Sequence, residues 1–209
     1  MKTVIRPVRI LGYLAFAFLT LGSASQSKAK EGCGIYPDEA YEKFLELGWS
    51  ACRLKHQGQR PLWQDFAGKH KRVMRFVFTE GHGAFYRYVF ITENVDGTGQ
   101  IRTGGTNRRS LNGSDPIPVR RSSLSAKQLV DLNALVVQAK LWQFSMEAWD
   151  DPDEIFSHCQ LLEMEMATGK DYRYSSVSVG CNQPTKLMLV VDEVARLGGL
   201  KKIDPQLYR

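Results

Sequence analysis

The sequence contains few of the residues on which metal sites and disulfide-only scaffolds depend. It has four cysteines and four histidines in 209 residues, with no C-x-x-C spacing and no two histidines four residues apart. Disulfide-only scaffolds are much richer in cysteine, and zinc sites use closely spaced ligand pairs. The fold must therefore rest on a hydrophobic core, which a 43% hydrophobic chain can supply. We expect no metal and no cofactor.

Long apolar runs are also absent, apart from one near the N-terminus. Residues 10–21 are uncharged and mostly apolar, follow three basic residues and precede the small residues 22–25. This pattern is typical of a Sec-type signal peptide, and the run is shorter than the ~20 apolar residues of a membrane-spanning helix. We predict a signal peptide over 1–24, a flexible leader over 25–32 and one domain over 33–209. The protein would be periplasmic or secreted, without a stable membrane anchor after cleavage; an uncleaved anchor is the alternative.

A strong net charge is lacking once the leader is removed. The full chain has 28 basic and 22 acidic residues, a formal charge of +6. Because the leader carries three basic residues and no acidic one, the mature chain has 25 basic against 22 acidic residues, or +3. Total charge therefore gives no argument for nucleic-acid binding, and we expect no nucleic-acid partner.

The four cysteines all lie in the predicted mature domain, which in an exported chain favours two disulfides. Cys159 and Cys181 flank a predicted hairpin, whose folding brings them opposite each other or within about two residues. Cross-strand neighbours lie ~5 Å apart, within disulfide reach. The remaining pair, Cys33 and Cys52, would join the two ends of a short helix. Free thiols and a catalytic or metal-binding pair are the alternatives.

Hydrophobic periodicity predicts an α+β fold with an antiparallel sheet, formed by a meander plus a C-terminal hairpin, and helices packed on one face. The predicted strands cover 73–79, 84–93, 98–103, 157–167 and 171–179. The predicted helices cover 37–47, 125–140 and 184–197. Residues 104–118 are predicted to form a polar loop, because they are rich in glycine, proline and asparagine.

Two local signals sharpen this prediction. Ser125 and Gln128 form a Ser-x-x-Gln capping box, and the leucines on either side of Ser125 complete a hydrophobic staple. In the first strand, Met74, Phe76 and Phe78 alternate with other residues and should share one face.

Arginines cluster on both sides of the predicted loop. The cluster consists of Arg102, Arg108, Arg109, Arg120 and Arg121. Guanidinium groups bind carboxylates, phosphates and sulfated polymers, and a loop that folds back would gather them into one patch. We predict ligand contacts by Arg108, Arg109, Arg120 and Arg121. A solvated basic loop is the alternative.

Catalytic motifs are sparse. Glu80 and His82 share a predicted turn and are the candidates for a general-base site, with a solvated hairpin tip as the alternative. The serine-rich stretch before Gly180 approaches a nucleophile elbow. However, no histidine follows Ser178, which excludes the α/β-hydrolase order. The acidic run 150–154 lacks the spacing of an EF-hand loop.

Several short segments together resemble a group of uncharacterised exported bacterial proteins. The segments are Pro61–Trp63, the aromatic first strand, Leu124–Ser125, Leu141–Phe144, Leu162–Glu163 with Gly169 and Tyr172, and Ala195–Leu200. They cover most of the mature chain and consist of strand, cap and turn signals. The resemblance implies one exported α+β domain, and it transfers no activity to any residue.

The sequence favours a non-catalytic binding domain whose partner is an envelope protein or an anionic polymer. A hydrolase with Glu80 and His82 at its site is the second hypothesis. A purely structural envelope component is the third.

Overall fold

The computed structural model describes residues 33–43, 47–65, 70–79, 85–110, 113–141, 161–169, 171–178 and 185–200. In chain order the elements are α1 (Asp38–Lys43), α2 (Leu47–His56), α3 (Leu62–Asp65), β1 (Arg72–Thr79), β2 (Phe85–Glu93), β3 (Gly99–Ser110), β4 (Gly113–Leu124), α4 (Ala126–Gln138), β5 (Leu161–Thr168), β6 (Tyr172–Ser178) and α5 (Thr185–Leu197). Outside the described residues lie the predicted signal peptide and leader, Glu80, His82, the acidic run 150–154, Cys159 and Cys181.

The strands form one antiparallel sheet in the order β4-β3-β2-β1-β5-β6, which confirms the predicted α+β class. The meander and the C-terminal hairpin share this sheet because β1 pairs with both β2 and β5. Val77, for example, lies opposite Tyr88 on one side and Glu163 on the other.

The predicted polar loop over 104–118 is wrong, because β3 continues to Ser110 and β4 begins at Gly113. The glycines that suggested a loop permit close packing within the sheet. A Cβ on Gly104 would lie 2.6 Å from the Tyr88 hydroxyl, and one on Gly105 would lie 2.1 Å from the Tyr86 carbonyl oxygen. Proline is tolerated in β4 because this strand lies at the sheet edge.

One face of the sheet packs against α4 and α5, and its core includes Met74, Phe76 and Phe78 as predicted. The α4 helix begins at the predicted capping box: the Gln128 backbone N–H donates to the Ser125 hydroxyl, and the Ser125 backbone N–H donates to the Gln128 side chain. The α5 helix ends at the predicted glycines, and Gly199 has a φ of 62°.

The opposite face of the sheet is covered as well, so the prediction of helices on one face describes only α4 and α5. Residues 33–43 and 47–65, which contain α1, α2 and α3, form an N-terminal segment over this second face, with Ile35, Tyr36 and Leu54 in its core. The predicted end of the first helix at residue 47 is wrong, because α2 begins at Leu47 and continues through Gly48 to His56.

The Cys33–Cys52 disulfide is confirmed, with a Cα–Cα distance of 5.0 Å. It does not join the two ends of one helix. Cys33 precedes α1 and Cys52 lies within α2, so the bond closes the N-terminal segment on itself.

Candidate functional site

One row of side chains crosses all six strands on the face that carries the N-terminal segment. The row consists of Arg121, Arg102, Phe90, Arg75, Glu165 and Tyr174, in the order β4 to β6. Residues paired across antiparallel strands point to the same face, so each of these six side chains lies next to the one on the adjacent strand. The row contains two charged groups of different character, one at the β4 edge of the sheet and one buried between β1 and β5.

At the sheet edge, Arg102 and Arg121 form an opposed pair of guanidinium groups, the arginine pair. Arg121 is exposed and lies directly across from the half-buried Arg102. The Arg102 guanidinium carbon lies 4.3 Å from the centroid of the Phe90 ring, a cation–π contact that holds it in place. Burial lowers the pKa of Arg102, and the positive charges of Arg121 and Arg75 act in the same direction.

Neither member of the arginine pair forms a salt bridge within the described ranges. Like charges directly opposite each other destabilise a sheet, so the pair adds no stability of its own. Two guanidinium groups that have no acidic partner among the described residues are suited to bind an oxyanion between them.

The structure places the predicted contact residues apart. Arg120 pairs with Thr103 and points to the helix-covered face, whereas Arg121 points to the opposite face. The backbones of Arg108 and Arg109 belong to β3, and Arg108 lies roughly 20 Å along the strand from Arg102, at ~3.4 Å per residue. The four arginines therefore do not converge on one point of the sheet, and the side chains of Arg108 and Arg109 lie outside the described residues.

A shallow pocket of 240 Å³ lies on the other side of this edge, where the sheet meets the end of α5. Its lining consists of Ile101, Thr103, Arg120, Arg121, Ser122, Leu197, Gly198 and Gly199. Arg120 points toward this helix-covered side, whereas Arg121 borders the pocket from the edge strand and is paired with Arg102.

The buried middle of the row is an ion pair. The Arg75 guanidinium forms a salt bridge with Glu165, and both side chains are at most 1% exposed. The Tyr172 hydroxyl donates to the second oxygen of Glu165 at 2.7 Å, and Arg75 Nη1 donates to the Arg60 carbonyl oxygen at 3.0 Å. Because a guanidinium keeps its proton in proteins, we take Glu165 as the ionised partner.

Glu163 lies two residues before Glu165 on the same face of β5, and no cation among the described residues is bonded to it. Its Oε2 accepts hydrogen bonds from the Tyr36 hydroxyl, at 2.8 Å, and from the Ser50 hydroxyl. Burial raises the pKa of Glu163 to about 7. The two hydroxyls oppose this shift, the charge of Glu165 adds to it, and Arg75 opposes it.

Sequence reasoning missed this acidic pair, Glu163 and Glu165, and their partner Arg75. In an alternating strand the charged positions are expected to face water. The available signal was that Arg75 lies on β1 between Val73 and Val77, which share its face, and that β5 carries two acids on the face opposite Leu162, Met164 and Met166. That signal becomes informative only once the N-terminal segment is known to cover them. At 1% exposure, neither carboxylate contacts a solute while the segment is closed.

Comparison with known proteins gives no family: the chain matches no protein-family model and no curated protein sequence. In the part of the chain that the structure describes, no helix is both long and apolar enough to cross a membrane. Within those same ranges, no three His, Cys, Asp or Glu side chains gather into a metal-binding group. Any function must therefore be argued from the geometry of the sheet.

Proposed function

We propose that this chain is an exported, non-catalytic binding domain that holds an anionic polymer of the cell envelope through the arginine pair. The observation that carries the proposal is the direct opposition of Arg102 and Arg121 without an acidic partner in the described residues. A salt bridge or a buried carboxylate would give these side chains a structural purpose. An oxyanion bound between them compensates their mutual repulsion and accepts hydrogen bonds from both guanidinium groups.

The location of the pair supports a polymeric ligand. It lies at the exposed edge of the sheet, where Val119, Arg120 and Arg121 are solvent-exposed along β4. Arg108 and Arg109 follow on the neighbouring strand. A chain of repeating carboxylate, phosphate or sulfate groups can contact the arginine pair and continue along this edge, which a small anion cannot.

The compartment is the second part of the proposal. Disulfides persist in oxidising compartments and are rare in the cytoplasm, so the Cys33–Cys52 bond fits a protein that folds outside it. Together with the predicted signal peptide, this bond supports a periplasmic or secreted location. The hydrolase hypothesis receives no supporting observation, because Glu80 and His82 lie outside the described residues.

The test is binding of the mature protein to two defined polyanions, dextran sulfate and polygalacturonate, at low and at physiological salt. The variant Arg102→Gln/Arg121→Gln should weaken binding at least tenfold, because a hydrogen bond to a charged group contributes about 1.5–3 kcal/mol. The control Lys127→Gln/Lys186→Gln removes the same charge from two exposed helical lysines and should change affinity by less than threefold.

Three outcomes contradict the proposal. The wild-type protein fails to bind either polymer, the two double variants lose affinity equally, or only an envelope protein is retained. The first outcome excludes an anionic polymer as the ligand. The second shows that binding depends on net charge and not on the arginine pair, and the third indicates a protein partner.

A further inference from the structure

The N-terminal segment is attached to the sheet through buried and part-buried hydrogen bonds. Tyr36 and Ser50 of the segment both donate to Glu163 on β5. Elsewhere in the interface, the Arg60 carbonyl oxygen accepts from Arg75, and Gln57 donates to the Gly105 carbonyl oxygen at 2.8 Å. Glu163 thus receives two of these four bonds at a single carboxyl group.

The charges around Glu163 do not balance when it is ionised. Arg75 is engaged by Glu165, and the two carboxylates lie two residues apart on the same face of β5. The other groups that face the acidic pair include hydroxyls from three elements: Tyr36 and Ser50 from the segment, Tyr86 from β2, and Tyr172, Tyr174 and Ser176 from β6. Burial raises the pKa of Tyr36 and of Tyr86, so these phenols stay neutral.

The disulfide does not attach the segment to the sheet. Both of its cysteines belong to the segment, so the bond makes no covalent link to any strand. What holds the segment on the sheet is noncovalent: the apolar core beneath it and the hydrogen bonds to Glu163, Arg75 and β3.

We propose that Glu163 is a proton-operated latch: with its carboxyl group protonated the N-terminal segment is closed on the sheet, and loss of that proton to solvent loosens the segment. Ionisation places a second negative charge beside Glu165 in a site that offers one guanidinium for both. The closed interface also leaves the Tyr86 hydroxyl buried without a hydrogen-bond partner among the described residues, a cost that opening relieves.

The direction of the pH effect follows from proton linkage. The pKa of Glu163 in the closed state is about 7, above its ordinary value of 4.5, so the closed state binds the proton more tightly than the open state. The latch is fully effective below pH 4.5 and is lost as the pH rises through about 7. Between about pH 5 and 7 the opening constant should rise up to ~10-fold per pH unit.

The experiment is amide hydrogen exchange with mass spectrometry on the mature protein between pH 5 and 8, comparing wild type with Glu163→Gln. Glutamine keeps an acceptor for Tyr36 and Ser50 and cannot ionise. Rates are divided by the intrinsic exchange rate at each pH. For peptides from 33–65, the opening constant of the wild type divided by that of the variant should rise at least 20-fold from pH 5 to 7. Peptides from β2 and β3 should show a much smaller change.

A matched control is Glu93→Gln, which removes another buried carboxylate. Glu93 accepts from Lys71 and Arg72, and these bonds hold its pKa below the ordinary value. Because Glu93 is already ionised at pH 5, the ratio of wild type to this variant should be flat between pH 5 and 7.

A flat ratio for Glu163→Gln overturns the latch. So does a ratio that rises equally in all peptides, since that result indicates global unfolding. If Glu163→Gln does not fold, Ser50→Ala serves as the second variant. It removes one donor to the carboxylate, and the pH at which opening levels off should move upward. An unchanged midpoint in Ser50→Ala also contradicts the proposal.

Discussion

Burial gives Glu163 and Glu165 different chemistry, although they are two residues apart on one strand face. Glu165 has a guanidinium and a phenol bonded to it, whereas Glu163 has two hydroxyls. A buried ion pair often adds little net stability, yet removing one partner leaves an uncompensated charge. The two carboxylates should therefore respond to substitution in different ways.

We expect Glu165→Gln to destabilise the protein by about 3–5 kcal/mol, because it leaves Arg75 buried and unpaired. Arg75→Met should cost a similar amount. The double variant Arg75→Met/Glu165→Gln should cost much less than the sum of the two single variants, since neither charge is left behind. Urea unfolding at pH 6 measures all three free energies, and strictly additive losses would show that the ion pair is not the interacting unit.

The sequence predicted the apolar core but not the charged residues of the candidate site. Alternation in β1 and β5 correctly placed Met74, Phe76 and Phe78 in the core. It gave no reason to bury Arg75, Glu163 and Glu165, because their burial depends on the N-terminal segment, whose Tyr36 and Ser50 are 127 and 113 residues away from Glu163 in sequence. The arginine cluster was visible in the sequence, but the pairing of Arg102 with Arg121 depends on the register of β3 and β4.

At the scale of elements, signals confined to a few neighbouring residues were reliable. The capping box at Ser125 and the glycine stop after Leu197 were predicted and confirmed. The prediction failed where a residue type has two uses. Glycine and proline usually indicate loops, but in β3 and β4 glycine admits the Tyr88 ring and proline occupies an edge strand.

The close approach at Gly104 gives a direct test. Gly104→Ala should destabilise the protein by about 1–3 kcal/mol, because the new methyl group would collide with the Tyr88 ring. Gly169→Ala is the control, since a Cβ there meets nothing within 4 Å. Thermal unfolding of both variants checks this, and equal losses would argue against the packing of Tyr88 on β3.

In the molecule as a whole, one sheet carries two separate groups of charged side chains. Its edge carries the arginine pair and its centre carries the acidic pair beneath the N-terminal segment. The disulfide stabilises that segment by ~3 kcal/mol in the chain-entropy model, for a separation of 19 residues.

The cysteine pairing of the whole molecule can be tested by a peptide map without reduction. We expect Cys33 linked to Cys52, and the sequence further predicts Cys159 linked to Cys181. The open end of the described hairpin pairs Leu161 with Ser178. In the sequence, Cys159 comes two residues before Leu161 and Cys181 three residues after Ser178. A cross-link between the two pairs, or free thiols, would contradict the pairing.

The most direct test of the proposed function is the salt dependence of dextran sulfate binding. For a polyanion, the logarithm of affinity falls with the logarithm of salt concentration in proportion to the number of anionic contacts. We predict that Arg102→Gln/Arg121→Gln makes this slope shallower by about two, whereas Lys127→Gln/Lys186→Gln leaves it unchanged. An unchanged slope in the arginine variant would show that the pair does not contact the polymer, and the proposed binding site would be wrong.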